Sequence, residues 1–158
     1  MSGPLDRPAR VYHPGRGRHV ENVMMNALVG MGLLPRCYLL TTVGRNSGRR
    51  RTNPVLVVTD GGKRWLVAPY GPVQWVRNAR AAGRVRLRRR TDVHDFGLRE
   101  AASEEAGPVL QRYVALARTT RPYFSADVTS AAADFVAEAD RHPVFELIPV
   151  DEAAVGAS

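Results

Sequence analysis

The chain has 158 residues, 44% of them hydrophobic, which fits one domain with a real core and excludes wholesale disorder. Lys and Arg number 23 against 15 Asp and Glu, a formal charge of +8, and Lys63 is the only lysine, so the surface suits an anion that a planar guanidinium can grip: nucleic acid, an acidic membrane face or a small polyanionic cofactor. Cys37 is the only cysteine and His13, His19, His94 and His142 share no metal-ligand spacing, which excludes a disulfide framework and leaves a metal site without support.

Residues 1–18 are rich in Pro, Gly and Arg and read as a flexible arm. They lack the apolar core of a signal peptide, and no apolar run nears the ~20 residues that span a bilayer, so the cytoplasm is the expected compartment. An amphipathic helix follows, with Val20, Val23, Met24, Ala27, Leu28 and Met31 on one face. Met25 and Val29 widen that face. It suits core packing, a lid over an apolar substrate, or peripheral membrane contact through residues 20–34.

The middle of the chain is β-rich. Strands are predicted over Tyr38–Val43, Val55–Thr59 and Arg64–Ala68, the last two joined by the hairpin signal Asp60-Gly61-Gly62. Pro72 starts a short helix over Val73–Ala82 that ends at Gly83. Arg84–Arg90 alternates, with Val85 and Leu87 to one side and Arg84, Arg86 and Arg88 to the other. It pairs with Val93–Arg99 across a turn at Thr91-Asp92. Ser103, Glu104 and Glu105 signal the next helix, although Pro108 allows a start near Gly107. Arg121-Pro122-Tyr123-Phe124 is an irregular link, Ser130–Asp140 a further helix, and Val144–Ile148 a closing strand. This order predicts an α+β protein: a small barrel or curled sheet of mainly antiparallel strands flanked by helices. Residues 19–150 read as one domain and 151–158 as a tail.

The most informative stretch runs from Thr41 to Pro54. Two strands are joined by a loop bracketed by Gly44 and Gly48, and Arg45, Arg49, Arg50 and Arg51 crowd it. Glycines that expose backbone N–H groups, set among arginines, suit a phosphate or a row of carboxylates; a solvated basic hairpin is the plain alternative. Arg51 opens the outgoing strand and is the best placed to be rigid. Asn53-Pro54 marks an edge strand or a gap in the ladder where a planar ligand meets free backbone groups. After Val67-Ala68-Pro69-Tyr70 a helix begins near Gln74, with its positive dipole end aimed at whatever lies beside it. Trp75 and Asn78 share one helical face.

These two segments together resemble the deazaflavin-dependent nitroreductase family, whose members are split β-barrel, FMN-binding-like proteins that use coenzyme F420. The pattern T-T-x-G-R-x-S-G-x-x-R-x-x-P is matched from Thr41 to Pro54, and a W-x-x-N element by Trp75 and Asn78. The likeness spans roughly residues 35–150. It implies that Arg45, Asn46 and Ser47 face the coenzyme's oligoglutamate tail and that Arg51 holds its phosphate. Thr52, Asn53 and Pro54 would run on toward the ring, Val67, Ala68, Pro69 and Tyr70 would lie against it, and Gln74, Trp75, Val76, Arg77 and Asn78 would complete the groove. Leu56, Pro69 and Tyr70 depart from the pattern of nitroimidazole-reducing members, so coenzyme binding carries over further than that activity.

The implied chemistry is hydride transfer from the reduced deazaflavin to a hydrophobic electrophile: a quinone, an enone or a nitroaromatic. Tyr70 and Tyr123 are the candidate catalytic residues, as hydroxyl proton donors; no metal is required. The rivals are a non-catalytic deazaflavin or apolar-ligand carrier, a split barrel that uses FMN, and a nucleic-acid binder. Arg88-Arg89-Arg90 is the main feature for the last, and no nucleic-acid-binding motif accompanies it. A small hydrophobic substrate is the expected partner, and the assembly a monomer or homodimer.

Overall fold

The computed structural model describes Ala9 and residues 36–150. The expected arm (Ala9 apart), the helix and membrane contact of residues 20–34, and the tail of residues 151–158 lie outside the described residues.

Six strands close into a barrel: β1 (Cys37–Val43), β2 (Arg50–Asp60), β3 (Lys63–Val67), β4 (Arg84–Arg89), β5 (Asp92–Glu100) and β6 (Val144–Pro149). Their order around it is β1-β2-β3-β6-β5-β4, and every neighbouring pair is antiparallel. Helix α1 (Gln74–Ala82) joins β3 to β4, and α2 (Ser103–Leu116) with α3 (Ala132–Glu138) fills the connection from β5 to β6. The α+β barrel of antiparallel strands with flanking helices is therefore as the sequence predicts. Closure leaves free backbone only where a strand outruns its neighbour.

Turn chemistry sets the hairpins. Asp60 pairs with Lys63, leaving Gly61 and Gly62 as a two-residue loop with φ of 60° and 75°, the left-handed pair that matches strand twist. Between β4 and β5 the loop is Arg90-Thr91, one residue earlier than expected, because Arg89 pairs with Asp92 and Arg90 takes φ 57°. The 118–123 link is a 3-10 helix rather than irregular chain, and the helix expected over Ser130–Asp140 is α for Ala132–Glu138 with a 3-10 turn over Ala139–Arg141.

β2 starts at Arg50, one residue before Arg51, which the sequence places at the strand's opening, and so extends well beyond the Val55–Thr59 core of the expected strand. Its Arg50–Leu56 stretch pairs with Val43–Cys37 of β1, whereas only Val57–Asp60 pairs with β3. Among the described residues, the far edge of Arg50–Leu56 has no strand partner. Val57 N–H donates to the Arg36 carbonyl at 2.8 Å, on the β1 side. Backbone direction alternates along a strand, so the Pro54 nitrogen faces the open edge, where its missing N–H costs no ladder bond. The groups of Thr52 and the carbonyl of Pro54 face the same way.

Alternation also sorts the side chains. Val55, Val57, Leu66 and Ala68 point into the barrel with Trp75 and Phe145; Val58, Trp65 and Val67 point outward against α2 and α3. Helices α2 and α3 meet at Gly107. A Cβ there would stand 2.9 Å from the Ala132 carbonyl oxygen and collide with Val136 Cγ2. So Gly107 marks a close approach, and α2 starts at Ser103, where Glu105 Oε1 accepts from Ala102 N–H at 3.3 Å.

Arg99 ties the helical layer to the sheet. Its guanidinium grips both carboxylate oxygens of Glu105, at 2.9 and 2.8 Å, and donates through Nε to Glu146 at 2.8 Å. The Arg99 hydrogen bond, helped by Ala102 N–H, holds the Glu105 carboxyl down at about 2. The same arginine lowers Glu146.

Two outcomes are expected. Gly107→Ala should destabilise the fold by roughly 1–3 kcal/mol despite the better helix propensity of alanine, read as a lowered urea midpoint. Because the Glu105 carboxyl is depressed in the fold, its contribution is complete above the ordinary value of 4.5 and is lost as pH falls toward 2. The Tm gap between wild type and Arg99→Ala should therefore be widest above that value and close in acid.

Candidate functional site

The loop between β1 and β2 is braced at both ends. Gly44 N–H donates to the Arg49 carbonyl at 2.7 Å and Gly48 N–H to the Gly44 carbonyl at 2.9 Å, with Gly48 at φ 68°. Ser47 Oγ accepts from Arg49 N–H at 3.2 Å. Helix α1 then clamps the loop from the side. Asn78 Oδ1 accepts from the backbone N–H of Arg45 at 3.2 Å and from its Nη1 at 3.1 Å, and Gln74 Oε1 accepts from the same Nη1 at 2.9 Å. Asn78 Nδ2 reaches Thr42 Oγ1 at 3.5 Å. Gln74 and Asn78 are four residues apart, so one helical face presents both.

This geometry alters several expected roles. Arg45 is a brace between loop and helix, and the buried Asn78 amide serves the loop. Trp75 and Val76 are buried in the barrel interior, Trp75 tilted against Phe145 at 6.2 Å, so their side chains face the core and not a groove. Gln74 and Arg77 remain exposed on α1. Thr42, which the sequence reading passes over, is buried at the far end of the Asn78 amide.

The arginines fall into two groups. Arg84 and Arg86 share Asp95, Arg80 pairs with Glu100, and Arg112 with Asp60. Among the described residues no carboxylate pairs with Arg45, Arg49, Arg50, Arg51, Arg77 or Arg88. Asn46, Ser47, Arg49, Arg50, Arg51 and Thr52 are all exposed. The register places Arg51 opposite Thr42 and Asn53 opposite Leu40, on the inner face; Thr52 and Pro54 lie on the outer face. Only a ligand lying along the open edge of β2 can meet all four.

Beyond β3 the chain turns at Gly71, with φ 87°, into α1. Helix α1 has no side-chain cap and no acidic residue in its first turn, which leaves its positive end open to an anion. Val67 and Ala68 are buried, so a ligand there meets backbone rather than side chains. Pro69 and Tyr70 are half-buried. The Tyr70 ring meets Tyr123 edge to face, with centroids 4.8 Å apart. The two residues singled out as candidate catalysts thus come together from positions 70 and 123. Behind them, burial pushes the Tyr113 phenol far above its ordinary range, despite a hydrogen bond with Thr120.

The sequence matches the F420H2-dependent quinone reductase family over residues 17–134. The chain belongs to that family. It is an F420-dependent reductase, and coenzyme F420 is its cofactor. Among solved structures, the chain is 22% identical to one described as a domain-swapped dimer, with 83% of this chain and 96% of that chain covered at a TM-score of 0.51. A protein of unknown function from Agrobacterium tumefaciens is 15% identical, with 89% and 59% covered and a TM-score of 0.52. A third, described as the F420-H2 dependent reductase FDR-A, is 28% identical, with 72% and 94% covered and a TM-score of 0.49.

The residues present fit the coenzyme of an F420-dependent quinone reductase. A flat ring needs an edge of backbone donors and acceptors, and β2 has one. A phosphate and carboxylates need cations, and Arg49, Arg50, Arg51 and Arg77 are exposed and pair with no carboxylate among the described residues. Among the described residues no cluster of His, Cys, Asp or Glu could hold a metal ion, and no helix is long and apolar enough to cross a membrane.

Asn78→Ala should free the loop from α1 and cost about 1–3 kcal/mol by orphaning the Arg45 N–H. Hydrogen exchange over residues 44–49 should rise relative to the rest of the barrel.

Proposed function

We propose that the protein reduces a hydrophobic quinone with F420H2, binding the coenzyme along the open edge of β2. The observation that carries this reading is the conjunction of a one-sided strand edge with exposed arginines that pair with no carboxylate among the described residues. Arg51 holds the phosphate. Asn46 and Ser47 border the acidic tail, with Arg49 and Arg50 adding charge. Thr52 and Pro54 meet the ring through the strand edge, with Asn53 between them on the β1 side, and the backbone of Val67–Tyr70 closes on it from β3. The start of α1, with Gln74 and Arg77, completes the groove.

When bound, the reduced coenzyme supplies a hydride. The protein orients the acceptor and excludes water beside it. Reduction of a quinone to its hydroquinone also takes up a proton, and the Tyr70 and Tyr123 hydroxyls border the acceptor side, where they can deliver it. Leu56 lies on the same outer face, against the cluster that holds Tyr123. A wall of Leu and Tyr rings favours a flat apolar acceptor. Enones and nitroaromatics share that shape and are secondary candidates. The strand arginines Arg84 and Arg86 are already engaged with Asp95, which argues against a nucleic-acid footprint on β4.

The test is fluorescence titration with F420 followed by turnover of F420H2 with menadione. Arg51→Ala should weaken coenzyme binding by roughly 1.5–3 kcal/mol, the worth of a charged hydrogen bond, whereas Arg84→Ala should leave it unchanged. Equal affinity in wild type and Arg51→Ala would displace the phosphate from β2. Tight binding without turnover of any acceptor would make the protein a carrier.

A further inference from the structure

A buried polar pair sits behind the acceptor wall. Glu138 and His142 are 1% and 4% exposed, one turn apart at the end of α3, and His142 Nε2 lies 2.9 Å from Glu138 Oε1. His142 Nδ1 lies 3.0 Å from the Pro69 carbonyl oxygen. A carbonyl oxygen only accepts, so Nδ1 donates, and one further proton lies between Nε2 and the carboxylate. Glu138 also accepts from the Ser125 N–H at 3.1 Å and the Ala126 N–H at 2.8 Å. The imidazole stacks on Phe124 with centroids 4.0 Å apart and an interplanar angle of 23°.

These contacts have one common consequence. Pro69 precedes Tyr70, and Phe124 follows Tyr123. One imidazole therefore grips the residues next to both tyrosines, while Glu138 fixes the imidazole and the chain just beyond Phe124. The 68–71 turn is held to the same segment by Ala68 N–H, which donates to the Pro143 carbonyl at 2.8 Å, and by the close approach of Gly71 to the Arg141 carbonyl. The network lies on the β3 side of the site, where it holds the Val67–Tyr70 segment at Pro69.

We infer that Glu138 and His142 are positioning residues that set Tyr70 against Tyr123 and so shape the acceptor side of the site. The inference rests on the proposed function for its kinetic consequence. Its structural content does not depend on it. A buried, hydrogen-bonded pair costs desolvation that an apolar pair would avoid, so its presence behind the wall calls for a directional role.

The experiment uses the full chain with His142→Phe, His142→Asn and Phe124→Leu. His142→Phe keeps an aromatic ring over Phe124 and removes both hydrogen bonds. Hydrogen exchange without coenzyme should then rise together at residues 68–71 and 122–126 while the barrel strands stay protected. Menadione kcat/KM should fall roughly 10- to 100-fold, as misplacement by an ångström does. His142→Asn keeps a donor near the place of Nδ1 and should restore protection at 68–71 and much of the kcat/KM. Phe124→Leu removes the stack, together with the ring contact to Tyr113, but leaves both His142 hydrogen bonds, and should loosen 122–126 while sparing 68–71. Unchanged exchange in both segments of His142→Phe, or a uniform rise across the barrel, would overturn the positioning role. Loosened segments with unchanged menadione kinetics would overturn the link to the acceptor side. If wild type neither binds F420 nor reduces menadione, the proposed function falls, and the exchange pattern alone decides the positioning.

Discussion

The structure depends on how β2 divides its backbone between two neighbours. A strand must pair its N–H and C=O groups on both edges or leave them to solvent or ligand. β2 meets β1 along Arg50–Leu56 and β3 only from Val57 onward. The barrel still closes, because β4 pairs with β1 and β6 with β3. The opening falls in the first half of β2, where the Pro54 nitrogen lies on the free edge and loses no ladder bond. The same stretch begins with Arg50 and Arg51 and ends at Leu56, so charge and apolar surface follow one another along one edge.

Charge alone would not select this edge. Many arginines sit on β4, but Asp95 on the neighbouring strand takes up Arg84 and Arg86, and other carboxylates take up Arg80, Arg99 and Arg112. The arginines of the β1–β2 loop have no such partners among the described residues. Arg45 is the exception in a different sense: its guanidinium and peptide N–H hold the loop to α1. A loop braced in this way has less conformational freedom to lose on binding.

The two tyrosines show a second division of labour. Their rings come from segments more than fifty residues apart, and neither segment is in regular α or β structure at the ring. Such segments hold a fixed geometry only if something buried grips them. The Glu138–His142 pair does this through one carbonyl, two amides and a stacked ring. Core apolar contacts could supply equal stability, but not a fixed direction, because dispersion has none.

Local chemistry was legible in the amino-acid sequence. Strand alternation, the Gly61-Gly62 turn, the stop at Gly83 and the Thr41–Pro54 motif depend on neighbours in the chain, so they mark the barrel strands and point to the deazaflavin family. The length of β2 was only partly legible: Arg51 marked its opening, but the polar Arg50–Asn53 stretch is a strand only because β1 offers partners. Not legible were the roles of Trp75, Asn78 and Arg45, which a W-x-x-N spacing places on one helix face without saying whether that face meets core, loop or ligand. Glu138 and His142 carried a visible i, i+4 spacing, yet their meaning lay in Pro69 and Phe124, distant in sequence. The sequence by itself determined which elements form and what class of ligand the charge suits, because propensity, turn geometry and charge are local. Only the tertiary structure decided which arginines remain unpaired, which strand edge stays open and which tyrosines meet, because each depends on partners brought together by barrel closure.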